Sequence, residues 1–346
     1  VKALRALHAW AGLFAAILFI PLGLSGALLV WGEDMMRAGN APAQQIAPAR
    51  TIEQRAADLA AIERAVAPNT VQWVRLPRER IGLYEAGLGQ ERVAVVDPVS
   101  LEMIELREGH ARFIDYLFEF HIGLFADEAG EKVQGVLALF GIGFAISGVI
   151  LFWPARRSFS LAAMAPRDAS RRSLLSAHRA IGIVAAAPLA LTMLGAVLLG
   201  FGDDARKALA AAMPSKPEAI IALPRGEPGW AGALATLQIA LPDAQLKVIQ
   251  YPAPGKSEAR FRLRRPMEWQ PNGRTYATID LSTGALTSLT DSEKRPLGER
   301  LFYLAYPLHA GMTGGWAMKL LQTFVGLALA GLGVLGVWGF LKRRRV

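Results

Sequence analysis

The sequence predicts an α-helical membrane protein, with four transmembrane helices in two tandem helix–module–helix repeats and a small α+β module in each repeat, outside the membrane. Three observations predict it. The 346 residues are 53% hydrophobic and 19% charged, an apolar excess that a soluble surface does not accommodate. The excess is concentrated in four blocks, residues 9–32, 133–153, 181–202 and 320–341, each at least twenty residues long and free of charge. At 1.5 Å rise per residue, each is long enough to cross a hydrocarbon core of roughly 30 Å. Third, the chain matches itself when displaced along its own length. A simple soluble enzyme, a disordered chain and a lone signal anchor are excluded. The net charge of +9 becomes a matter of membrane topology instead of nucleic-acid binding.

The basic residues near the helix ends set the orientation. Lys2 and Arg5 precede the first span; Arg156, Arg157, Arg167, Arg171 and Arg172 lie between the second and third; Lys342, Arg343, Arg344 and Arg345 close the sequence. The positive-inside rule puts all three groups in the cytoplasm, so both termini are expected there and the two long connections outside. The first block shows no small-residue cleavage pattern before Trp31-Gly32-Glu33-Asp34 and reads as a retained anchor. The expected division is residues 1–32 (first span), 33–109 (first external module), 110–132 (interfacial segment), 133–153 (second span) and 154–177 (cytoplasmic loop). It continues with 178–202 (third span), 203–297 (second module), 298–319 (interfacial segment), 320–341 (fourth span) and 342–346 (basic tail).

The self-match has defined offsets. Displacement by 170 positions carries His8, Gly12, Leu28, Leu29, Gly32 and Asp34 onto His178, Gly182, Leu198, Leu199, Gly202 and Asp204. Displacement by 188 carries Arg112, His121, Gly123, Gln134, Gly143, Gly148, Arg156 and Arg157 onto Arg300, His309, Gly311, Gln322, Gly331, Gly336, Arg344 and Arg345. Between them, Val96-Asp97-Pro98-Val99-Ser100 answers Ile279-Asp280-Leu281-Ser282-Thr283. Both copies run the same way through the membrane, so an axis along the membrane normal should relate them. In the first module, residues 51–66 read as an amphipathic helix with a Thr51 cap, followed by strands at 71–76, 81–85, 93–97 and 103–106. In the second, residues 230–239 form a helix, followed by strands at 247–251, 260–263, 275–281 and 286–289. Pro42, Pro48, Pro214, Pro217, Pro224 and Pro228 mark the linkers.

The chemistry points to histidine. Zero cysteine removes disulfides, thiolate metal sites, cysteine-ligated iron–sulfur clusters and CxxCH haem attachment together. Of five histidines, four are matched across the repeat: His8 with His178 at the cytoplasmic face, His121 with His309 at the external face. His110 has no counterpart and reads as a surface residue. Two imidazoles opposed across a pseudo-twofold axis are what a six-coordinate b-type haem needs, giving two haems, one on His8 and His178 and one on His121 and His309. Arg5, Arg179, Arg112 and Arg300 lie near these histidines and are the expected partners of haem propionates. Gly12, Gly182, Gly143, Gly331, Gly148 and Gly336 would admit a close backbone or a flat macrocycle, unless they serve ordinary helix packing. A zinc or copper site is the weaker reading, because two histidines per face fall short of tetrahedral coordination. Gly331-Leu332-Gly333-Val334-Leu335-Gly336 matches GxGxxG, but inside an apolar span, without a preceding strand or a downstream acid, it is helix packing. With no P-loop, HExxH, GxSxG or flavin or nicotinamide motif found, electrons are expected from a donor outside these residues.

Leu7-His8-Ala9-Trp10-Ala11-Gly12, Ala177-His178-Arg179-Ala180-Ile181-Gly182, Phe120-His121 and Leu308-His309 stand in an order that resembles the PepSY-associated transmembrane family. Within it, the chain is similar to the FoxB-type inner-membrane ferrisiderophore reductases over nearly its whole length. The resemblance implies two helix–PepSY–helix units in the bacterial inner membrane, with two periplasmic PepSY-like modules and two b haems. It further implies an oxidoreductase that passes electrons outward and reduces Fe(III) in a siderophore to weakly held Fe(II). The expected partners are a ferric siderophore on the periplasmic side, a cytoplasmic or membrane electron donor of unknown identity, and the lipid bilayer, with no nucleic acid. Tyr306, Trp316, Phe118 and Phe120 are candidates to line the docking site, or to form an interfacial aromatic belt. Two other functions stay open: a b-type cytochrome serving another periplasmic acceptor, and a non-catalytic regulator or inhibitor of a periplasmic protease.

Overall fold

The structure, a computed structural model, describes residues 1–38, 44, 46–78, 80–109, 112–214 and 226–342. Pro42, His110, Pro217, Pro224, Arg343, Arg344 and Arg345 lie outside the described residues. In chain order the helices are α1 Lys2–Leu29, α2 Gly32–Ala38, α3 Ile52–Ala65, α4 Phe113–Gly123, α5 Asp127–Phe152 and α6 Arg171–Gly200. They continue with α7 Gly202–Ala212, α8 Gly229–Ala240, α9 Leu297–Phe302, α10 Ala305–His309 and α11 Gly315–Leu341. The strands are β1 Trp73–Arg75, β2 Tyr84–Gly89, β3 Arg92–Val96, β4 Met103–Glu108, β5 Gln245–Gln250, β6 Glu258–Arg264, β7 Thr275–Asp280 and β8 Ala285–Thr290. The chain divides into two compact units. One comprises Val1–Trp31, Ile114–Ala208 and Ala305–Val346, the other Gly32–Phe113 and Leu209–Leu304.

In the first unit α1, α5, α6 and α11 are long and apolar enough to cross a membrane. Three of them begin well before the uncharged blocks. The charges in their first turns, Lys2 and Arg5 in α1, Asp127 and Glu128 in α5, Arg171 and Arg172 in α6, belong to the helix and extend it into the interface. Ser170 caps α6 by accepting from the Ser173 N–H. This early start puts His8 and His178 inside helices instead of at their first residues. α1 packs along α11, α5 along α6, and α6 against α11. Two crossings are close enough to require glycine. A Cβ on Gly23 would lie 2.5 Å from the Gly326 carbonyl oxygen, and one on Gly200 would lie 2.6 Å from Gly135 Cα. Phe14, Ile17, Phe140, Leu191 and Leu327 are exposed on the bundle, as lipid-facing side chains should be.

The second unit contains one antiparallel sheet of eight strands in the order β4-β3-β2-β1-β5-β6-β7-β8. Each half of the chain contributes a four-strand meander, and β1 joins them by pairing Trp73, Val74 and Arg75 with Gln250, Ile249 and Val248. The strand sets of the two expected modules are therefore continuous through main-chain hydrogen bonds. α3 starts with the expected Thr51 cap, here a full capping box with Gln54. Leu59 and Ile62 of α3, with Ala233, Leu234 and Leu237 of α8, share one buried cluster with Val74, Ala86, Ala94, Ile249, Phe261, Ala277 and Ile279 of the sheet. Each fully buried Ile or Phe there contributes about 1.5–3 kcal/mol. The strand expected at 81–85 is displaced to Tyr84–Gly89. Arg78 and Ile81 exchange main-chain hydrogen bonds across a turn, and Ile81 and Leu83 bury with Val95 in a satellite cluster, so their alternation serves packing outside the ladder.

The outer face of the sheet, opposite this core, is charged. In its first half Glu85 accepts from Arg75 Nη1 at 2.8 Å, Arg107 Nη2 at 2.8 Å and Arg78 Nη2 at 3.3 Å. Burial alone would push the Glu85 carboxyl up, but these three guanidiniums outweigh it and hold the group at about 2. On the core side, Asp58 is buried and accepts from both Arg50 Nε and Tyr84 Oη at 2.8 Å.

Candidate functional site

The four repeat-matched histidines all fall in the helical unit. His8 lies early in α1 and His178 early in α6, while His121 is near the end of α4 and His309 ends α10. The fold brings them together in twos. The ring centres of His8 and His178 are 6.3 Å apart with planes at 86°, and those of His121 and His309 are 6.1 Å apart with planes at 45°. Ser25, hydrogen-bonded to His121, is seventeen residues beyond His8 on α1. That spacing separates the two pairs by about 25 Å along the helix.

Every one of the four imidazoles has its Nδ1 engaged. His178 Nδ1 lies 3.0 Å from the Leu332 carbonyl oxygen, and His309 Nδ1 lies 3.0 Å from that of Thr192. A carbonyl only accepts, so both rings carry the proton on Nδ1 and keep the lone pair on Nε2. His8 Nδ1 lies 2.7 Å from Ser147 Oγ, and His121 Nδ1 lies 2.9 Å from Ser25 Oγ. Each serine donates its own proton to a carbonyl three residues back, Ser147 to Phe144 and Ser25 to Leu22, and therefore accepts from the ring. All four histidines are thus placed in one tautomer, with Nε2 as the free donor nitrogen. The hydrogen bond at one ring nitrogen sets which of the two is available to a metal.

The two halves of the chain use the same carbonyls in two ways. The offset of 170 carries Leu22 onto Thr192 and Ser25 onto Gly195; the offset of 188 carries Phe144 onto Leu332 and Ser147 onto Leu335. Where the first half has a serine between imidazole and carbonyl, the second half has none and the imidazole bonds the equivalent carbonyl directly. Glutamine holds the segments that carry His121 and His309. Gln134 Nε2 donates to the His121 carbonyl at 3.0 Å, Gln322 Nε2 donates to the Leu308 carbonyl at 2.8 Å, and Thr192 Oγ1 donates to Gln322 Oε1 at 3.0 Å. A Cβ on Gly26 would lie 2.8 Å from His121 Cε1, so glycine is needed there for the ring to approach α1.

These residues fit a bis-histidine haem. Two imidazoles on opposite sides of one metal ion, with metal–nitrogen bonds of about 2 Å, have ring centres about 6 Å apart, close to both observed separations. Among the described residues no group of three or more His, Asp or Glu is arranged to hold a metal ion, so the donor set is two imidazoles per pair. Gly143 and Gly331 face open space, where a Cβ would meet nothing within 4 Å; Gly12, Gly182, Gly148 and Gly336 would meet side chains at ordinary contact distances.

Arg5 and Arg179 are exposed, three residues before His8 and one after His178. Arg112 and Arg300 belong to the sheet-containing unit, where Arg112 Nη1 contacts Met36 Sδ at 2.9 Å and Arg300 lies in α9. Of the aromatic candidates, Phe118 and Trp316 are exposed; Trp316 packs on Trp31 at 5.1 Å and Phe120 on Phe125 at 5.9 Å. Tyr306 is half-buried. Ser25, Ser147, Gln134 and Gln322 are the positioning residues that sequence reasoning missed. The only signal was the match of the two glutamines at the 188 offset, which carried no role by itself.

Four membrane-spanning helices in one unit and a helix-backed antiparallel sheet in the other define a multi-pass membrane protein with PepSY domains. The chain belongs to the PepSY-associated TM region family, whose family model matches residues 5–343. A search of curated proteins finds no match.

Proposed function

We propose that this protein is a di-haem b reductase of the bacterial inner membrane that passes electrons from the cytoplasmic to the periplasmic side and reduces Fe(III)-siderophores, releasing Fe(II) for iron acquisition. The observation that carries the reading is the common state of four imidazoles, all with Nδ1 hydrogen-bonded and Nε2 free, in two pairs with ring centres 6.3 and 6.1 Å apart. His8 and His178 would hold one haem and His121 and His309 the other, with Arg5 and Arg179 as cationic partners of the first haem's propionates. Bound there, haem supplies one-electron Fe(III)/Fe(II) chemistry.

The chain's own residues do the positioning. Ser147, Ser25 and the carbonyls of Leu332 and Thr192 fix ring orientation and tautomer, and Gln134 and Gln322 tie down the segments carrying His121 and His309. Reduction frees the cargo because siderophore oxygens are hard donors matched to Fe(III) and hold Fe(II) weakly. The reading also takes the chain as a duplicated helix–PepSY–helix unit with both termini cytoplasmic. Supporting the duplication are the equivalent carbonyls behind each histidine and the paired four-strand meanders. Supporting the orientation are the basic residues at one set of helix ends.

The test is a visible spectrum of the purified protein, then reaction of the dithionite-reduced protein with a ferric siderophore while a chromogenic chelator traps Fe(II). A Soret band with split reduced α and β bands, reoxidation by the ferric complex and stoichiometric Fe(II) are expected. Protein expressed with ample haem and showing no Soret band would sink the reading.

A further inference from the structure

On the outer face of the sheet, Arg75, Arg78 and Arg107 of the first half each pair with a carboxylate, whereas the arginines of the second half are arranged differently. On β6 the alternation Ala259, Phe261, Leu263 is buried on the core face, so Arg260, Arg262 and Arg264 share the opposite face. At about 6.8 Å between alternate residues, they span roughly 13 Å of strand. The next strand adds Tyr276, directly opposite Arg262, with Arg274 just before it. Arg260 lies over the Tyr276 ring at 4.3 Å, Arg262 at 5.8 Å, and Arg274 lies over Tyr303 at 5.1 Å. Stacking holds the guanidinium planes in place while leaving N–H edges for a ligand.

None of these four arginines is within ion-pair distance of a carboxylate among the described residues. The nearby acids take their hydrogen bonds from other groups. Glu268 accepts the main-chain N–H groups of Arg265 and Arg274 at 2.6 Å each, and Asp243, Asp291 and Glu293 gather on Arg265. Glu258, on the same face as Arg260, accepts from Thr287 Oγ1 at 3.1 Å. Arg262 Nε and Arg264 Nε donate only to the carbonyls of Gly273 and Glu268. Arg274 Nε is buried with no hydrogen-bond partner. Burial, reinforced by the neighbouring cations Arg274 and Arg75 and only partly offset by Tyr276 and Glu268, disfavours the charged form of Arg262. An assembly of like charges with unmet donors is stabilised by an anion.

We propose that the outer face of β6 and β7 is the docking surface for an anionic ferric chelate, so that the substrate class is ferric complexes of net negative charge, built on catecholate or carboxylate oxygens. This assignment deepens the reductase reading and rests on it for the word substrate. Four cations and an aromatic ring match a compact, multiply charged, partly aromatic complex better than a neutral or cationic one.

The experiment is calorimetric titration of the full-length, detergent-solubilised protein with redox-inert Ga(III) complexes: a trianionic tris-catecholate and a neutral trihydroxamate. The trianionic complex is expected to bind at least about tenfold more tightly than the neutral one, and to weaken as salt rises. Arg260→Gln and Arg262→Gln should each cost about tenfold for the trianionic complex, with Arg260→Lys between. Arg260 is exposed, so its substitution leaves the fold intact. Equal affinity for the two complexes, or full affinity in the double Gln variant, overturns the proposal. Short-chain phosphatidylglycerol is the second titrant. If it binds with this arginine dependence and the chelate does not, the face is a lipid contact and the proposal also falls. Because binding needs no haem, the two readings fail separately. Protein without haem bands that still binds the trianionic complex keeps this surface and loses the reductase, whereas haem-replete protein that does not bind it keeps the reductase and loses this surface.

Discussion

The two halves of the chain build the same parts and finish them differently. In the first half, His8 and His121 reach their carbonyls through Ser147 and Ser25, and Arg75, Arg78 and Arg107 on the outer face of the sheet all pair with Glu85. In the second, His178 and His309 bond the main chain directly, and among the described residues no carboxylate lies within ion-pair distance of Arg260, Arg262 or Arg264 of β6. The difference teaches that equivalent positions can be held by side chain or by backbone with one chemical result. Each histidine pair contains one imidazole of each kind, so a side-chain substitution reaches only one anchor per pair. The sheet carries the same asymmetry in charge: one half spends its arginines on stability, the other keeps them for a ligand.

The largest effect should come from breaking a pair. On the proposed reading, His121→Ala or His309→Ala is expected to remove one of the two proposed haems, halving the haem per protein in a pyridine haemochrome assay and abolishing ferric-chelate reduction, with the His8–His178 centre retained. Loss of both centres from either single change would contradict the pairing. Next is Glu85. Replacement by Gln removes the one carboxylate shared by Arg75, Arg78 and Arg107, leaving only Glu33 on Arg78 and Glu105 at 3.9 Å from Arg107 as counter-charges, and should destabilise the sheet by about 3–5 kcal/mol, read by tryptophan fluorescence on thermal unfolding. Its acid dependence has a definite sign. The folded carboxyl is held at about 2, below the ordinary 4.5, so its contribution is complete above about pH 4.5 and is lost as pH falls toward 2. Full protonation removes about 3 kcal/mol. A wild-type sheet no less stable at pH 2.5 than at pH 5 would contradict that linkage.

Ser25→Ala probes the anchors themselves. It strips the acceptor from His121 while leaving a Cβ in the way, and should weaken retention of the haem proposed at His121 and His309 by about 10–100-fold in transfer to apomyoglobin. Thr192→Ala keeps the carbonyl that holds His309 and should change retention little. Ser25→Gly, which copies Gly195, should fall between them, because the ring can close on the Leu22 carbonyl. Equal retention in all three would mean the two kinds of anchor do not differ. The smallest effect belongs to stability on the unbalanced face: Arg262→Gln should shift unfolding by about 0.5 kcal/mol or less, since it relieves repulsion while losing one hydrogen bond. Arg107→Gln, which breaks into the Glu85 network, should cost several times more.

Much of this was legible in sequence and some was not, for physical reasons. Twenty uncharged residues in a row have few destinations, so the spans were evident; their ends were not, because helix continues through interfacial charges such as Asp127 and Arg171. The four histidines stood out through their offsets. Their anchors did not: a serine in an apolar helix usually bonds its own backbone, and the Thr192 and Leu332 carbonyls leave no side-chain trace. Ile81 and Leu83 alternate like a strand yet pack beside one, since periodicity reports burial and not hydrogen bonding. The arginines of β6 were visible as letters, but their lack of acidic partners depends on where Glu258, Glu268 and Asp291 turn.

The amino-acid sequence alone determined the four spans, the internal match of the two halves, the exclusion of thiolate chemistry and the histidines to watch, because each follows from hydropathy, count or spacing along the chain. Tertiary structure alone decided that β1 meets β5 to make one sheet, that four Nδ1 atoms find acceptors and leave four Nε2 atoms free, and that one set of arginines gathers on a carboxylate while the other, among the described residues, does not. These depend on main-chain groups, which are the same in every residue, and on distances across the fold that no spacing along the chain encodes.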